Sequence, residues 1–364
     1  MKNTLLVLKQ VERTHPNLGL PILFAKLIDM SNIGCFLIAE RGKGKTTALD
    51  VIRDSLRHRD LMQINIISYA GLAKMASEMS GRRITMINRD FSSFYTDYLK
   101  DVAINLIAGL ITDHSIKADT QTYSIKIDDC VISFLSATQP QMLEKLNRIP
   151  TWESMYRDRF IRFPMLYWFG TPPKYQDKMP EVSTVEIIPD AGEVSLPNSI
   201  KEIESYERMA AILERQTSAS RCRLHLDAML RAHAAFNMRD IVLPKDLEFI
   251  ELFAGNLMLD YLVSDRQRGV SRPLVFNSNS YIIFSYLLEH GGASRAQMRQ
   301  HWSVSQITIQ RNLNPLMARN LIKGTYGKDW YVVNPKWLEK YANPIHKWFD
   351  KNGIRRMASN EQKV

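Results

Sequence analysis

The stretch Ala39-Glu-Arg-Gly-Lys-Gly-Lys-Thr46 follows a continuous apolar run at residues 33–39 and precedes a helical pattern. Its spacing is that of the phosphate-binding loop G-x-x-x-x-G-K-[ST], with alanine at a first position that needs a small residue. Gly42 and Gly44 let the backbone curl so that its N–H groups face a phosphate. The following helix adds its N-terminal dipole and its unpaired N–H groups. Strand, loop and helix therefore come in the order that a nucleotide-binding P-loop requires.

The loop predicts ATP and Mg²⁺ as cofactors. We expect Lys45 to reach the β- and γ-phosphates and the Thr46 hydroxyl to bind Mg²⁺. The predicted nucleotide-binding residues are Glu40, Arg41, Gly42, Lys43, Gly44, Lys45, Thr46 and Thr47.

A P-loop also needs a second acid on a neighbouring strand, and Asp90 follows the apolar run at residues 84–88. We expect Asp90 to hold Mg²⁺ through water. The alternative is an acid that caps a helix or a turn. Asp128 and Asp129 compete less well, because they precede their predicted strand instead of following it.

The first 170 residues alternate between short apolar runs and helical patterns. The runs lie at residues 33–39, 61–68, 84–88, 131–136 and 163–168, and the clearest helical patterns lie at 46–56 and 98–111. Buried parallel strands that alternate with helices are typical of an α/β fold, a parallel sheet with helices on both faces.

The rest of the chain divides by composition and pattern. We expect a core at residues 1–170, a Pro-rich linker or excursion at 171–200, and helices at 199–216, 221–236 and 244–262 within an all-helical unit at 201–264. A charged connector at 265–276, a small domain at 277–347 and a basic tail at 348–364 follow.

The small domain shows the order helix, helix, helix, hairpin, which is that of a winged helix-turn-helix. Its third helix would read DNA through Gln306, Thr308, Gln310 and Arg311, with Lys323 and Lys328 in the wing. The spacing predicts a buried face of Ile307, Ile309, Leu313 and Leu316, and Pro315 is expected to kink or shorten the helix. The alternative is a winged helix that contacts protein.

Charge supports the DNA hypothesis. Residues 265–364 hold 16 Lys+Arg and 6 Asp+Glu, an excess equal to the +10 net charge of the whole chain. A concentrated positive charge favours a polyanionic partner, although a solubilising tail would look the same. No apolar run reaches the roughly 18 residues of a membrane helix, and three scattered cysteines favour neither a zinc site nor disulfides. We expect a cytoplasmic, nucleoid-associated protein.

In order along residues 20–260, these motifs resemble those of AAA+ ATPases. That resemblance implies a strand between the P-loop strand and the acid strand, here the run that begins at residue 131, and a sensor-1 residue at its polar end, where Thr138 or Ser136 fits. It implies an arginine finger acting on the neighbouring subunit, for which Arg159 fits best, with Arg157 and Arg162 as alternatives.

The pattern from residue 220 to residue 246 resembles the lid of minichromosome-maintenance helicases, and Arg221 falls on its sensor-2 position, with Arg223 as the fallback. The resemblance thus implies a catalytic set of Lys45, Asp90, Thr138, Arg159 and Arg221. In most AAA+ proteins a catalytic glutamate follows the second acid. Phe91 stands there in this chain.

The layout of AAA+ core, helical lid and winged helix also resembles archaeal origin-recognition initiators. It implies an ATP-dependent, DNA-binding homo-oligomer, a ring or filament, that acts in replication as initiator, helicase or loader with replication or recombination proteins. The alternatives are a transposition or DNA-packaging ATPase, and a nucleotide-gated transcription regulator with little turnover.

Overall fold

A computed structural model describes residues 1–65, 68–93, 97–119, 124–147, 149, 152, 157–170, 179–185, 190–265 and 275–354. The strands are β1 (Gly34–Ile38), β2 (Asp60–Gln63), β3 (Arg83–Asn88), β4 (Ile116–Asp119), β5 (Ser124–Ile127), β6 (Val131–Thr138), β7 (Phe160–Pro164), β8 (Ser264–Asp265), β9 (Val275–Phe276), β10 (Ile322–Gly324) and β11 (Tyr331–Val333). The helices are α1 (Lys2–Thr14), α2 (Gly19–Met30), α3 (Lys45–Asp54), α4 (Tyr69–Met79), α5 (Asp97–Asp113), α6 (Pro140–Leu146), α7 (Asn198–Lys201), α8 (Glu204–Glu214), α9 (Ala219–Phe236), α10 (Pro244–Glu251), α11 (Ala254–Leu262), α12 (Ser278–His290), α13 (Arg295–Trp302), α14 (Gln306–Ala318) and α15 (Pro335–Lys351).

Five strands form one parallel sheet in the order β2-β3-β6-β1-β7. The α/β prediction is therefore confirmed, and β6 separates the P-loop strand β1 from the acid-bearing strand β3. Ile38 pairs with Thr138 on one side and with Pro164 on the other, so three strands end level with one another. The carboxyl ends of parallel strands share one edge of a sheet, and ligands bind there in open α/β folds.

Both faces of the sheet are covered. On one face Asp29 of α2 accepts hydrogen bonds from the hydroxyls of Thr85 and Ser133, both at 2.6 Å, and thereby fixes the helix to β3 and β6. The opposite face carries a cluster of aromatic rings whose centroids lie 5.0–6.0 Å from that of Phe36: Phe91, Phe134, Trp152 and Phe160. The result is a three-layer, P-loop-NTPase-like core.

The edge strand β7 begins at Phe160, three residues before the predicted run. Arg162 lies within β7 and interrupts its run of apolar residues. A search for continuous apolar runs therefore misses the start of this strand. Its guanidinium is buried and pairs with Asp260 of α11 at 3.0 Å, while Gln216 exchanges two hydrogen bonds with its backbone. A paired guanidinium is the form in which a charge is tolerated inside a protein.

The structure adds α1, α2 and the hairpin β4–β5, for which the sequence analysis gave no range. Helix α1 packs on α9, where Asn3 donates to the Phe236 carbonyl at 2.7 Å and the Thr4 hydroxyl lies 3.0 Å from Nε2 of His233. Glu12 then accepts hydrogen bonds from two backbone N–H groups at the start of α2. The hairpin β4–β5 pairs Ile116 with Ile127, antiparallel to one another, ahead of β6.

Helices α7 to α11 lie within the predicted all-helical pattern, but the helices predicted at 199–216 and 244–262 are each divided in two, at residues 202–203 and 252–253. Part of the stretch assigned to a linker is structured, because Ser195 bridges to Ile241 and α7 begins at Asn198. The predicted boundaries at 170, 200 and 264 are not tested by these contacts and stay predictions.

The C-terminal region contains three helices and then the antiparallel pair β10–β11, with Ala293 bridged to Tyr331. Gly291 ends α12 in the left-handed conformation, and the Ser294 hydroxyl caps α13 by accepting the N–H of Gln297 at 3.2 Å. Helix α14 continues past Pro315 to Ala318, so the predicted shortening is wrong. The proline has no N–H to donate to the Arg311 carbonyl, and the helix ends three residues later.

The last helix passes through the residue at which we expect the small domain to end, and that boundary stays a prediction. Helix α15 runs to Lys351, past the expected boundary at 347, because Phe349 and Ile354 are buried in the core. Residues 355–364 lie outside the described part. No helix among the described residues is long and apolar enough to cross a membrane.

Candidate nucleotide-binding site

The phosphate loop has the backbone that its glycines predict. Gly42 and Gly44 have φ values of +78° and +73°, in the left-handed region that side chains disfavour, and Gly44 directly precedes α3. The N–H of Ala39 donates to the Thr138 carbonyl at 3.3 Å, which ties the start of the loop to the end of β6. Thr46 and Thr47 lie half-buried in the first turn of α3, and Arg41 is exposed beside them.

Lys45 turns its ammonium back onto the loop. Its Nζ donates to the carbonyl oxygens of Ala39 at 2.7 Å and Glu40 at 2.6 Å. Burial lowers the pKa of Lys45 to about 8, and the carboxylates of Asp90 and Glu40 oppose this shift. The charge is therefore held inside the loop by carbonyl oxygens, which a phosphate can replace.

Asp90 lies beyond the end of β3, close enough to Lys45 to raise its pKa. Its Oδ1 also accepts the N–H of Ser92 at 2.9 Å, which is the turn-capping role of the alternative interpretation. The side chain is exposed, so its second oxygen can reach a hydrated ion. The two roles are compatible in one carboxylate.

The two sensor-1 candidates differ in their partners. The Ser136 hydroxyl donates to Oδ1 of Asn88 at 2.9 Å and thereby joins β6 to β3. The Thr138 side chain is fully buried, and among the described residues its Oγ1 finds no hydrogen-bond partner. Buried hydroxyls are normally satisfied, so an unsatisfied one beside a phosphate loop favours a ligand or water at that point.

The position after Asp90 carries no base. Phe91 is fully buried, and its ring meets that of Phe36 edge-on at 5.0 Å. A core ring thus occupies the place where a catalytic glutamate follows the acid in most AAA+ proteins. The side chain of Asp97, another acid in this stretch, lies outside the described part of the chain.

Arg159, the predicted arginine finger, and Arg221, the predicted sensor-2 residue, lie at the other edge of the sheet. Arg159 directly precedes β7, whose first residue pairs with Gly34 at the start of β1. With about 3.3 Å per strand residue, this edge lies on the order of 13 Å from the phosphate loop. Nε of Arg221 pairs with Asp158 at 3.0 Å, so the structure brings Arg159 and Arg221 to one region.

The alternatives to these arginines fare differently. Arg162 is buried in its pair with Asp260, so as an alternative arginine finger it is wrong. Arg223 pairs with Glu207 on the surface. The side chain of Arg157 lies outside the described residues.

Three side chains near the loop escaped the sequence analysis. Tyr167, after β7, donates to the Lys43 carbonyl at 2.5 Å. Glu289, on α12, pairs with the Lys43 ammonium at 2.5 Å, and Tyr281 of the same helix lies within hydrogen-bond distance of the Ile38 carbonyl. They lie more than 120 residues from the loop in sequence, so no spacing rule joins them to it. For Glu289 alone the sequence held a hint of a special role, because it is the sole acid between residues 266 and 328.

The Tyr167 contact orients a peptide group of the loop. In a trans peptide the C=O and the following N–H point in opposite directions. Because the Lys43 carbonyl faces Tyr167, the N–H of Gly44 points away from Tyr167. Tyr167 therefore fixes the orientation of one peptide group of the loop.

The predicted DNA-reading side chains lie on an exposed surface. Gln306, Thr308 and Arg311 are exposed on α14, as are Lys323 and Lys328 around β10, whereas Gln310 is half-buried and bonded to Arg295 and Asn314. Ile307 is 66% exposed, so its place in the predicted buried face is wrong. Ile309, Leu313 and Leu316 form that face at i, i+4 and i+7, and Ile307 is about 200° from Ile309 around the helix.

Neither a protein-family model nor a curated protein matches this chain. Among solved structures, a proposed ATPase from Cytophaga hutchinsonii aligns at 13% identity and a TM-score of 0.41, over 87% of this chain and 96% of that one. A full-length MCM homologue from Methanopyrus kandleri aligns at 14% identity and a TM-score of 0.40, over 66% of this chain and 54% of that one. Similarities at this level carry no argument about function, which depends on the site itself.

Proposed function

We propose that the chain is an ATPase of the AAA+ type that binds Mg²⁺-ATP at the loop from Ala39 to Thr46. The observation that carries this proposal is the convergence of three groups at one sheet edge: the ammonium of Lys45, the carboxylate of Asp90 and the unsatisfied hydroxyl of Thr138. They come from three neighbouring structural elements around the end of β1. A triphosphate with its metal is the ligand that this combination fits.

The chemistry follows from those groups. Lys45 would exchange its two carbonyl partners for phosphate oxygens, and the hydroxyl of Thr46 and the carboxylate of Asp90 would hold Mg²⁺. The metal, when bound, neutralises charge on the phosphates. The Thr138 hydroxyl would donate a hydrogen bond to the γ-phosphate or orient a water molecule beside it.

We further propose that the site is completed by a second copy of the chain, in a ring or filament. This is supported by the position of Arg159 and Arg221, which lie together at the edge opposite the loop, on the order of 13 Å from it. In such an assembly each subunit offers its arginines to the loop of the next.

The partner we propose for the C-terminal region is DNA, contacted through α14 and the β10–β11 hairpin as a winged helix. The order of elements, the exposed polar side chains of α14 and the basic charge of residues 265–364 support it. The biological role would then be in replication, as initiator, helicase or loader. The buried Phe91 favours a second candidate, a nucleotide-gated regulator with slow turnover, because no carboxylate follows Asp90.

One assay separates these roles. ATP turnover by the full chain is measured alone, with single-stranded DNA and with double-stranded DNA. An ATPase that works on DNA should be stimulated several-fold by one of the two forms. Nucleotide binding with negligible turnover under every condition would favour the regulator, and absence of nucleotide binding would refute the whole proposal.

A further inference from the structure

Helix α12 of the C-terminal region lies against the phosphate-binding edge of the sheet at three points along its length. At its start, the Ser278 hydroxyl donates to Glu144 of α6 at 2.6 Å. Three residues further along, the Tyr281 hydroxyl lies 2.9 Å from the Met165 carbonyl, beyond β7. At its end, Glu289 pairs with Lys43 of the loop. The helix therefore spans from the element after β6 to the phosphate loop.

The last of these contacts is nearly enclosed. The Glu289 side chain is 3% exposed and that of Lys43 is 21% exposed. The second oxygen of Glu289 accepts the Ser285 hydroxyl at 3.1 Å, and the Lys43 ammonium also lies 4.8 Å from the centre of the Tyr167 ring. A pair shielded from water in this way interacts more strongly than one on the surface.

The charges around this pair conflict with a phosphate ligand. Burial raises the pKa of Glu40, and the nearby Glu289 raises it further, so two carboxylates lie close together beside the loop. Lys43 compensates them. A nucleotide adds several negative charges within the same loop, and its phosphates would attract the ammonium that Glu289 holds.

We propose that Glu289 is a positioning residue of the nucleotide site: phosphate and the Glu289 carboxylate compete for Lys43, so nucleotide binding weakens the attachment of α12 to the loop. This inference rests on the proposed nucleotide-binding function. Because α12 is continuous with the region that carries α14 and the hairpin, the competition links nucleotide occupancy to the placement of the exposed basic surface.

Linkage makes the effect reciprocal. If nucleotide binding weakens the contact between Glu289 of α12 and Lys43 by some factor, that contact must weaken nucleotide affinity by the same factor. Removing the carboxylate charge should therefore tighten binding, which is the opposite of what loss of a merely structural residue would do.

The first test is a calorimetric titration of the full chain with Mg²⁺-ATP. Glu289→Gln should bind about three- to tenfold more tightly than the wild type. Glu289→Asp keeps the charge and should stay within about twofold of the wild type. The control is Glu339→Gln, the same change on the exposed side of α15, which should leave the affinity unchanged. Equal or weaker binding by Glu289→Gln would overturn the inference.

The second test follows the attachment of α12 directly. Backbone hydrogen exchange in α12 is measured in the wild-type chain with and without Mg²⁺-ATP. Exchange in the last turns of α12 should become faster with nucleotide, and in Glu289→Gln it should no longer respond. Exchange that stays unchanged or becomes slower in the wild type would contradict the competition. If the wild type binds ATP but both tests fail, only this inference falls; if it binds no ATP, the proposed function falls too.

Discussion

Thr138 and Ser136 lie two residues apart on β6, yet their hydroxyls have different partners. Ser136 bonds to Asn88, whereas Thr138 is buried with no partner among the described residues. Thr138→Val removes a hydroxyl that stabilises nothing in this part of the chain, so the free energy of unfolding should not fall. ATP turnover should fall by about tenfold or more, since the reacting phosphate would lose a hydrogen-bond donor.

Ser136→Ala is the matched control for that substitution. It leaves the buried oxygen of Asn88 with one partner fewer, which costs about 1–3 kcal/mol of stability. Its turnover at a temperature where the protein is folded should stay close to wild type. If chemical denaturation and turnover assays showed the reverse pattern, Ser136 would be the sensor.

Lys45 makes nucleotide affinity depend on pH. Its pKa is lowered by burial to about 8, so its charge is fully present near pH 7 and is lost as the pH rises through 8. ATP affinity should therefore weaken by up to about tenfold per pH unit above pH 8. In Lys45→Arg the charge persists, because the pKa of arginine exceeds about 12, and whatever affinity remains should be flat between pH 7 and 9. A flat wild-type profile would show that the charge of Lys45 does not control binding.

The residues of the loop were predictable because the motif is local in sequence, and each residue has one physical task. Glu289 and Tyr167 were not, because they reach the loop only through the fold. The sequence shows that Phe91 stands where a glutamate is expected. It does not show that Phe91 is buried in the aromatic cluster, because that burial depends on β1 and β7.

At the scale of elements, α14 and the β10–β11 hairpin present separate basic side chains to solvent. Arg311 and Lys323 are exposed there. For duplex DNA, removing one cationic side chain that binds a phosphate should reduce the slope of log affinity against log salt by about 0.9. We therefore expect Arg311→Ala and Lys323→Ala, in the full chain, each to weaken DNA binding and to flatten that slope by about one.

The control is Lys74→Ala, the same charge change on an exposed position of α4. It should leave both the affinity and the slope unchanged. If fluorescence-anisotropy titrations gave the same small effect for all three variants, DNA would not be bound by this surface.

Residue polarity alone was misleading at Arg162 and at Ile307. A continuous apolar run marks a buried strand, but Arg162 interrupts β7 and is tolerated only because Asp260, 98 residues away, pairs with it. Ile307 shows the converse error. It was assigned to the core because it is apolar, although it lies on the side of α14 opposite the buried face. Helix α12 was predicted from its apolar pattern, but its contact with the loop was not.

At the scale of the whole molecule, one hydrophobic core runs through the described residues from Val7 of α1 to Ile354 beyond α15. The sequence suggested separate modules along the chain, because composition changes from one stretch to the next. Those stretches are joined where α1 packs on α9 and where α12 packs on the sheet edge. The residues in contact there are more than 200 positions apart in the sequence. Such contacts depend on tertiary folding, and no local pattern encodes them.

The position of the arginines makes a prediction for the assembly. Arg159→Ala should abolish most turnover while sparing ATP binding, and Asp90→Ala should also be inactive. In a mixture of equal amounts of the two variants, about a quarter of the subunit interfaces would join an intact Asp90 to an intact Arg159. Turnover of the mixture should therefore recover to a substantial fraction of a quarter of the wild-type turnover. It is measured at concentrations at which the chain is oligomeric. If mixing restores nothing, the arginine does not act across subunits.

The central claim is that Lys45 and its loop bind the phosphates of ATP, and the most direct measurement is a calorimetric titration of Mg²⁺-ATP into the full wild-type chain and Lys45→Ala. We expect saturable binding by the wild type and a loss of at least about a hundredfold in affinity for the variant, because a charge-assisted interaction inside the loop is removed. The circular dichroism spectra of the two proteins should be the same. Equal affinity in the two proteins, or no binding by a folded wild type, would contradict the claim.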